Sequence, residues 1–257
     1  MIKFGPAGLG GAKVAIKNLH EFHNLGIWAC EIAFTYSIYL KKDDAIKIGK
    51  TAKDLGISLS IHAPYYINLN SSDINKIKMS EERILKCAEI ANYLEAKRIV
   101  FHPGFYGKNT PEQTFERIKS SIKNIIKKLK QNNWNIELCP ETTGKLNVFG
   151  SIEEISRLVN ETKCGFCIDF AHILARYKDY NLELVKKFFP QKSWHCHFSG
   201  IVYGKHGEKN HRKTYKEEWQ ELLKGMPKDK DITIINESPA PLEDSIDGMK
   251  IFEEMKK

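Results

Sequence analysis

The chain has 257 residues, a hydrophobic fraction of 42% and a formal net charge of +8. Its composition is typical of a globular protein, and its length is sufficient for one large domain. Its apolar runs fall short of the ~20 residues of a membrane span and no signal segment opens it, which excludes a membrane protein and predicts a cytoplasmic one. Six scattered cysteines agree with a reducing compartment, and the positive charge favours a polyanionic partner such as nucleic acid, although lysine-rich surfaces also occur in thermophilic proteins.

Short β-like runs alternate along the chain with longer runs of helical periodicity. The predicted strands comprise residues 2–5, 29–34, 59–63, 98–102, 135–141, 165–170, 193–198 and 231–237. The predicted helices comprise residues 12–25, 43–55, 80–94, 110–129, 151–159, 182–189, 215–223 and 243–255. Capping boxes mark two helix starts, at Thr110 and Ser151. Repeated β-α units with right-handed crossovers predict an α/β fold, a (β/α)8 TIM barrel occupying residues 1–257 as a single domain, with an open doubly wound sheet as the alternative.

The seventh predicted strand, S-W-H-C-H-F, carries two histidines at alternate positions. Strand side chains alternate between faces, so His195 and His197 share one face and the apolar residues between and beside them share the other. The apolar row requires a core of helices. We therefore expect the two histidines to point into the barrel.

Six consecutive predicted strands end in a residue type that binds metals: His62, His102, Glu141, Asp169, His197 and Glu237. His172 follows Asp169 by three positions. Barrel enzymes place their chemistry at the carboxyl ends of the strands, and burying so many polar groups there is costly without ions. Mixed imidazole and carboxylate ligands suit Zn²⁺, Mn²⁺ or Fe²⁺, so the sequence predicts a metal site at the barrel mouth.

Five segments closely resemble endonuclease IV: I-H-A-P-Y-Y-I-N-L (61–69), F-H-P-G (101–104), E-T-T-G (141–144), C-I-D-F-A-H (167–172) and N-E-S-P (236–239). That family comprises zinc-dependent apurinic/apyrimidinic endonucleases on a (β/α)8 barrel, and the resemblance covers nearly the whole chain in the right order. It implies metal-assisted hydrolysis of the phosphodiester 5′ to the lesion in damaged double-stranded DNA. We also expect a monomer.

The resemblance implies a ligand set, with Zn²⁺ as the ion and Mn²⁺ as an alternative. One zinc would be held by His62, His102 and Glu141, and a second by Glu141, Asp169, His197 and Glu237, with Glu141 and Glu237 as the catalytic carboxylates. A third would use His172 and His211, and Tyr65 would lie beside the damaged site.

The chain departs from the family pattern in three places. It opens F-G-P-A-G-L-G-G, without the family's histidine, and the loop after strand two reads T-Y-S-I-Y (35–39) instead of the Asn/Arg/Trp-rich segment that penetrates DNA. The third-metal aspartate is replaced by Lys209. A lysine ammonium has no lone pair, so we predict a third site that is empty, partly occupied or rebuilt with Glu208, His206 being a further candidate. Alternatively, Lys209 contacts the phosphate directly, with Arg212 as a second substrate-binding cation.

Two other functions remain open on the sequence. A xylose isomerase-like sugar isomerase or epimerase would need a single divalent metal, bound by Glu141, Asp169, His197 and Glu237. It would not need His62 and His102, and their presence favours the nuclease. A non-catalytic nucleic-acid-binding relative would keep the basic surface, but the intact ligand set argues against it.

Overall fold

The structure is a computed structural model and describes residues 1–256. Its strands are, in chain order, β1 (Ile2–Pro6), β2 (Ala29–Ala33), β3 (Ser58–His62), β4 (Arg98–Phe101), β5 (Glu137–Pro140), β6 (Ile168–Asp169), β7 (Ser193–Phe198), β8 (Gly200–Gly204), β9 (Gly207–Arg212) and β10 (Asp231–Asn236). Its helices are α1 (Ala12–Asn24), α2 (Lys42–Asp54), α3 (Ile74–Tyr93), α4 (Pro111–Gln131), α5 (Ile152–Thr162), α6 (Phe170–Tyr177), α7 (Leu182–Phe188), α8 (Lys216–Gly225) and α9 (Pro241–Glu254). Strands and helices alternate, except that two helices follow β6 and an antiparallel hairpin, β8–β9, follows β7.

The parallel strands pair in two groups of four, in the orders β1-β10-β7-β6 and β2-β3-β4-β5. Single parallel bridges join the two groups on both sides, between Ala7 and Glu31 and between Glu141 and Cys167. A backbone hydrogen bond supports each junction, such as that from Cys167 N to Pro140 O at 3.1 Å. The strand order therefore runs round a ring, which confirms the predicted TIM barrel.

The apolar core lies between the strands and the surrounding helices. Trp194, Cys196 and Phe198 of β7 are buried in this core. His195 and His197 are also buried, but they lie on the other face of the strand, inside the ring. The alternation predicted for this strand is thus present, and it delivers two imidazoles to the barrel interior.

Local capping explains where several helices begin. The capping boxes predicted at Thr110 and Ser151 are both present. Helix α3 begins at Ile74, earlier than predicted, because Asp73 caps its first turn by accepting a backbone hydrogen bond at 2.8 Å.

Helix α6 was not predicted. The sixth strand was expected over residues 165–170, but β6 covers only Ile168–Asp169. Asp169 Oδ1 accepts a hydrogen bond from His172 N at 2.8 Å, so this aspartate caps a helix that begins at Phe170. The cap places His172 at the barrel mouth, three positions after Asp169.

No helix in residues 1–256 combines the length and the apolar composition that crossing a lipid bilayer requires.

The aromatic packing around α8 offers a test of the core. Trp219 is fully buried, lies 4.8 Å from Phe198 between ring centroids, and donates a hydrogen bond from Nε1 to Asp244 Oδ1 at 3.0 Å. We expect Trp219→Ala to lower the free energy of unfolding by about 3–5 kcal/mol, because it leaves a cavity and one oxygen of the Asp244 carboxylate unpaired. Chemical denaturation followed by circular dichroism measures the loss. Trp28→Ala, at a tryptophan that is 39% exposed, is the control, and equal losses in both variants would contradict this assignment.

Candidate metal centre

A first group of side chains lies at the ends of β3, β4 and β5. His62 Nε2 is 3.2 Å and His102 Nε2 is 3.1 Å from the same atom, Glu141 Oε2. His62 Nδ1 lies 2.8 Å from Ala63 O, and a proton on Nδ1 that this carbonyl accepts leaves Nε2 as the nitrogen available to an ion. The ligand atoms of the three residues lie within 4.8 Å of one another, close enough to hold one ion.

A second group shares Glu141 with the first. It adds Asp169 from β6, His197 from β7 and Glu237 from the end of β10, and its ligand atoms again lie within 4.8 Å of one another. His197 Nδ1 is 3.4 Å from both Glu141 Oε1 and Glu237 Oε2. The two oxygens of Glu141 therefore face different groups, which is the arrangement of a bridging carboxylate.

A third group comprises Asp169, His172 and His211. His172 Nδ1 is 3.1 Å from Asp169 Oδ2, and His172 Nε2 is 3.1 Å from Glu208 Oε2. His211 belongs to β9, and its Nδ1 lies 2.6 Å from Ser199 Oγ, so Nε2 is the nitrogen left for an ion. Glu208, suggested by the sequence as a replacement ligand, thus reaches this group in the structure.

A β-bulge explains how Glu208 and His211 face the same group although they are three positions apart. Successive pairs in the β8–β9 ladder are Val202–Asn210 and Tyr203–Glu208, so Lys209 has no opposite residue. The extra residue resets the alternation of side chains and brings positions 208 and 211 to one face. Lys209 itself is exposed, with its Nζ beside Gly204 rather than at the third group.

Two glycines let the hairpin approach the E-T-T-G segment. A Cβ added at Gly207, whose φ is +99°, would collide with Gly144 O, and a Cβ added at Gly144 would lie 2.5 Å from Glu208 Oε2. The glycine of this motif therefore leaves the space through which the Glu208 carboxylate reaches His172.

The ionisable groups of the centre perturb one another's pKa values. Burial alone would raise the pKa of Glu141, but the charges of His102 and His197 outweigh burial and hold it well below its usual range. At Asp169 burial dominates and raises the pKa to about 8. Burial opposes protonation of His62, yet its contact with Glu141 raises its pKa to about 9. Protonated histidines thus neutralise the carboxylates of the centre, and bound divalent cations could neutralise them in the same way.

Several polar atoms of the centre lack a hydrogen-bond partner within the described part of the chain. Glu141 Oε1, Asp169 Oδ2 and His197 Nδ1 are all buried in this state. Leaving a buried polar atom unpaired costs about 1–3 kcal/mol, so these atoms call for a bound group. Carboxylate oxygens and imidazole nitrogens are ligands of Zn²⁺ and are also accepted by Mn²⁺. The residues present therefore fit divalent ions.

The predicted substrate-binding residues lie at different distances from this centre. The ring of Tyr65 lies 5.9 Å from that of His62 between centroids and is about half exposed, so it flanks the first group. Arg212 is paired with both oxygens of Glu218, at 2.6 and 2.9 Å. His206, which the sequence offered as a further candidate ligand for the third site, is exposed at the hairpin turn. Only Tyr65 of these residues adjoins the ligands.

Thr142 and Glu31 are among the residues that contact the ligands but were missed in the sequence. Thr142 Oγ1 accepts a hydrogen bond from Asp169 N at 2.8 Å, and Thr142 O lies 3.0 Å from His172 Nδ1. Glu31 is fully buried, with Oε1 2.9 Å from His197 Nε2. The signal for Glu31 was an acid within the otherwise apolar run A-C-E-I-A of β2, and Thr142 stands within the E-T-T-G motif.

Chelation offers a direct test of ion binding. We expect removal of divalent ions from the loaded protein to lower Tm by about 5–10 °C, because ions that bind only the folded state stabilise it. Differential scanning calorimetry with and without chelator measures the shift, and added Zn²⁺ should reverse it. A Tm that chelation leaves unchanged would count against the centre.

Comparison with known proteins defines the family. A family model described as xylose isomerase-like TIM barrel matches residues 19–255. Uncharacterized protein MJ0133 of Methanocaldococcus jannaschii is 39% identical over 272 residues, covering 99% of this chain and 98% of that protein. A probable endonuclease 4 of Mycoplasmopsis synoviae is 31% identical over 150 residues, covering 56% of this chain and 51% of the relative. This last match thus spans about half of each protein.

Solved structures share the fold at lower identity. Endonuclease IV from Thermus thermophilus superposes with a TM-score of 0.72 at 19% identity, covering 98% of this chain and 97% of the other. A D-tagatose 3-epimerase-like protein has a TM-score of 0.72 at 20% identity (98% and 96% covered), and SacUVDE 0.76 at 15% (100% and 99%). Because the family model matches most of the chain, the protein belongs to the xylose isomerase-like TIM barrel family, as its resemblance to endonuclease IV predicted.

Proposed function

We propose that the protein is a metal-dependent phosphodiester hydrolase of the endonuclease IV type, which cleaves DNA 5′ to apurinic/apyrimidinic sites in base excision repair. The observation that carries the proposal is the convergence of His62 and His102 on one oxygen of Glu141, at 3.2 and 3.1 Å. These histidines add a second ion position to the four-residue group, and paired ions are typical of phosphodiester hydrolysis. Similarity to proteins named probable endonuclease 4 supports the same class.

Each part of the mouth would have a distinct role. Zn²⁺, or Mn²⁺ as the alternative, would act as a Lewis acid on the phosphoryl group. Glu141, which belongs to both the first and the second group, would be a shared ligand of two ions. Glu237 is the most exposed carboxylate of the second group. Burial would raise its pKa, but the charge of His197 outweighs burial and lowers the pKa to about 2. The ionised carboxylate can therefore accept a hydrogen bond from the attacking water. Burial raises the pKa of Tyr65 to about 12, so its phenol stays protonated and can donate to the substrate beside the lesion.

Cationic side chains around the mouth would bind the DNA backbone. Lys108, Lys145 and Lys205 are exposed in loops at this end of the barrel, and the chain carries a net charge of +8. Arg212 is a weaker candidate, because it pairs closely with Glu218 at 2.6 Å, whereas Lys145 lies 3.7 Å from the nearest carboxylate oxygen, that of Glu208.

We expect the affinity for DNA to fall steeply with salt, because each phosphate contact releases counterions. If three phosphates are contacted, raising salt from about 50 to about 200 mM should weaken binding about 40-fold. Fluorescence anisotropy with a labelled abasic duplex measures this slope. Changing Lys108, Lys145 and Lys205 together to glutamine should flatten it, whereas the same change at three exposed lysines of α4, Lys123, Lys127 and Lys130, should not. An affinity insensitive to salt would contradict a DNA partner.

A sugar isomerase or epimerase with a single divalent metal is the second candidate. The observation that favours it is that Glu141, Asp169, His197 and Glu237 form a complete four-ligand group without the first pair of histidines. The D-tagatose 3-epimerase-like protein also superposes as well as endonuclease IV does, both with a TM-score of 0.72.

The deciding experiment combines metal analysis with incision of a duplex that carries one abasic-site analogue. We expect bound divalent ions and a single nick on the 5′ side of the analogue, with an undamaged duplex left intact. The double variant His62→Ala/His102→Ala should lose incision. Ketose epimerisation that survives this double change would establish the second candidate, and DNA binding without any nick would indicate a non-catalytic relative.

A further inference from the structure

We propose that Glu31 is a positioning residue, which holds His197 in the orientation that the metal centre needs. The inference deepens the proposed function and rests on it, because it assigns a support to one of the proposed ligands. Glu31 stands in the middle of β2, below the barrel mouth, and its side chain reaches β7 through the interior of the ring. No role follows for it from the resemblance to endonuclease IV.

One oxygen of the Glu31 carboxylate is held by neighbouring side chains, and the other oxygen faces His197. Its Oε2 accepts a hydrogen bond from Ser60 Oγ at 2.7 Å and lies 3.0 Å from His195 Nε2. Its Oε1 lies 2.9 Å from His197 Nε2. All four residues are buried, with exposures of 0% for Glu31 and His197, 3% for His195 and 4% for Ser60. The carboxylate therefore has a fixed position, and its negative charge is directed at His197.

The two imidazole nitrogens of His197 face different neighbours inside the barrel. Nδ1 is 3.4 Å from Glu141 Oε1 and from Glu237 Oε2, whereas Nε2 faces Glu31. A histidine that binds an ion through one nitrogen keeps its proton on the other, and a carboxylate behind that proton fixes the tautomer and makes the ligand nitrogen more basic. Oε1 and Nε2 are not aligned for a linear hydrogen bond, so the orienting force is the attraction between carboxylate and ring.

Cys167 raises an alternative for the same residues. Ligand atoms of Cys167, His195 and His197 lie within 4.8 Å of one another, and thiolate with imidazole is a zinc-binding set. An ion held there would use His197, which is also a member of the second group at the barrel mouth. The aligned contacts of Ser60 and His195 with Glu31 instead indicate a hydrogen-bonded support. The two interpretations predict different numbers of bound ions.

The experiment measures ion binding without DNA, by competition with a chromophoric chelator and by the absorption spectrum of the Co²⁺-loaded protein. We expect Glu31→Gln to weaken one ion about 10- to 100-fold and to change the Co²⁺ spectrum. Glu31→Asp, which keeps the charge, should restore part of the affinity. The matched control is Asp244→Asn, a fully buried carboxylate bonded to Thr214 and Trp219, which should lower Tm without changing ion affinity.

Each outcome decides the matter. Wild-type affinity and spectrum in Glu31→Gln would overturn the proposal. It would also be overturned if Cys167→Ser lost a whole ion, since the cluster would then itself be a metal site, whereas an unchanged ion count in Cys167→Ser supports it. Because these readings need no substrate, a wild-type protein that fails to nick abasic DNA would refute the proposed function while leaving the role of Glu31 intact.

Discussion

Replacing Glu141 with glutamine is expected to abolish incision while leaving the barrel folded. The two oxygens of Glu141 face different groups. Oε2 faces the histidines at the ends of β3 and β4, at 3.2 and 3.1 Å, whereas Oε1 faces His172 and His197, at 3.1 and 3.4 Å. A neutral amide offers a single oxygen, so two ions would lose their shared ligand. We expect the rate of nicking an abasic duplex to fall at least about 100-fold, the upper end of the loss seen when a metal ligand loses its support.

The matched control for this change is Glu137→Gln. Glu137 starts the same strand, β5, but its side chain is 58% exposed and contacts Arg98 away from the mouth. It should retain wild-type activity and ion content. Circular dichroism should show both variants folded. A Glu141→Gln protein within a few-fold of wild-type activity would refute the bridging role.

The barrel could be predicted because each of its units carries a local pattern. The capping box at Thr110 and the alternation around His195 and His197 depend on neighbours a few residues away, and both are present in the structure. Helix α6 could not be predicted in this way. The segment that forms it looks like a continuation of an apolar strand, and the turn at Asp169 depends on Thr142, which accepts the Asp169 N–H from the segment that follows β5.

The same distinction applies to the metal centre. The ligands at the strand ends could be predicted once the strands were identified, because a barrel brings the carboxyl ends of its strands together. Glu31 lies in mid-strand, and its partner His195 is 164 positions further along the chain. The position of Glu208 depends on a bulge at Lys209, which the pairing register of β8 and β9 determines. Contacts across the barrel and a register shift leave no periodic trace in sequence.

The second large effect is expected at the third group, where Glu208→Ala should remove the third ion and spare the others. Glu208 Oε2 is 3.1 Å from His172 Nε2, and the space beside Gly144 admits it. Without this carboxylate, the remaining ligands are Asp169, which the second group shares, and two histidines. We expect at least about a tenfold loss of affinity for one ion, measured by metal analysis at a series of chelator concentrations. Incision should slow without being abolished.

Lys209 provides the control and a rescue. Since Lys209 is the bulged residue and is exposed beside Gly204, Lys209→Ala should leave the ion count unchanged. Lys209→Asp in the Glu208→Ala background would place a carboxylate two positions before His211, the spacing at which a regular strand presents both residues on one face. The double variant should therefore regain the third ion if β9 can lose its bulge. A full ion complement in Glu208→Ala would show that Glu208 is not needed as a ligand. A loss of the third ion in Lys209→Ala would show that Lys209 itself supports this site.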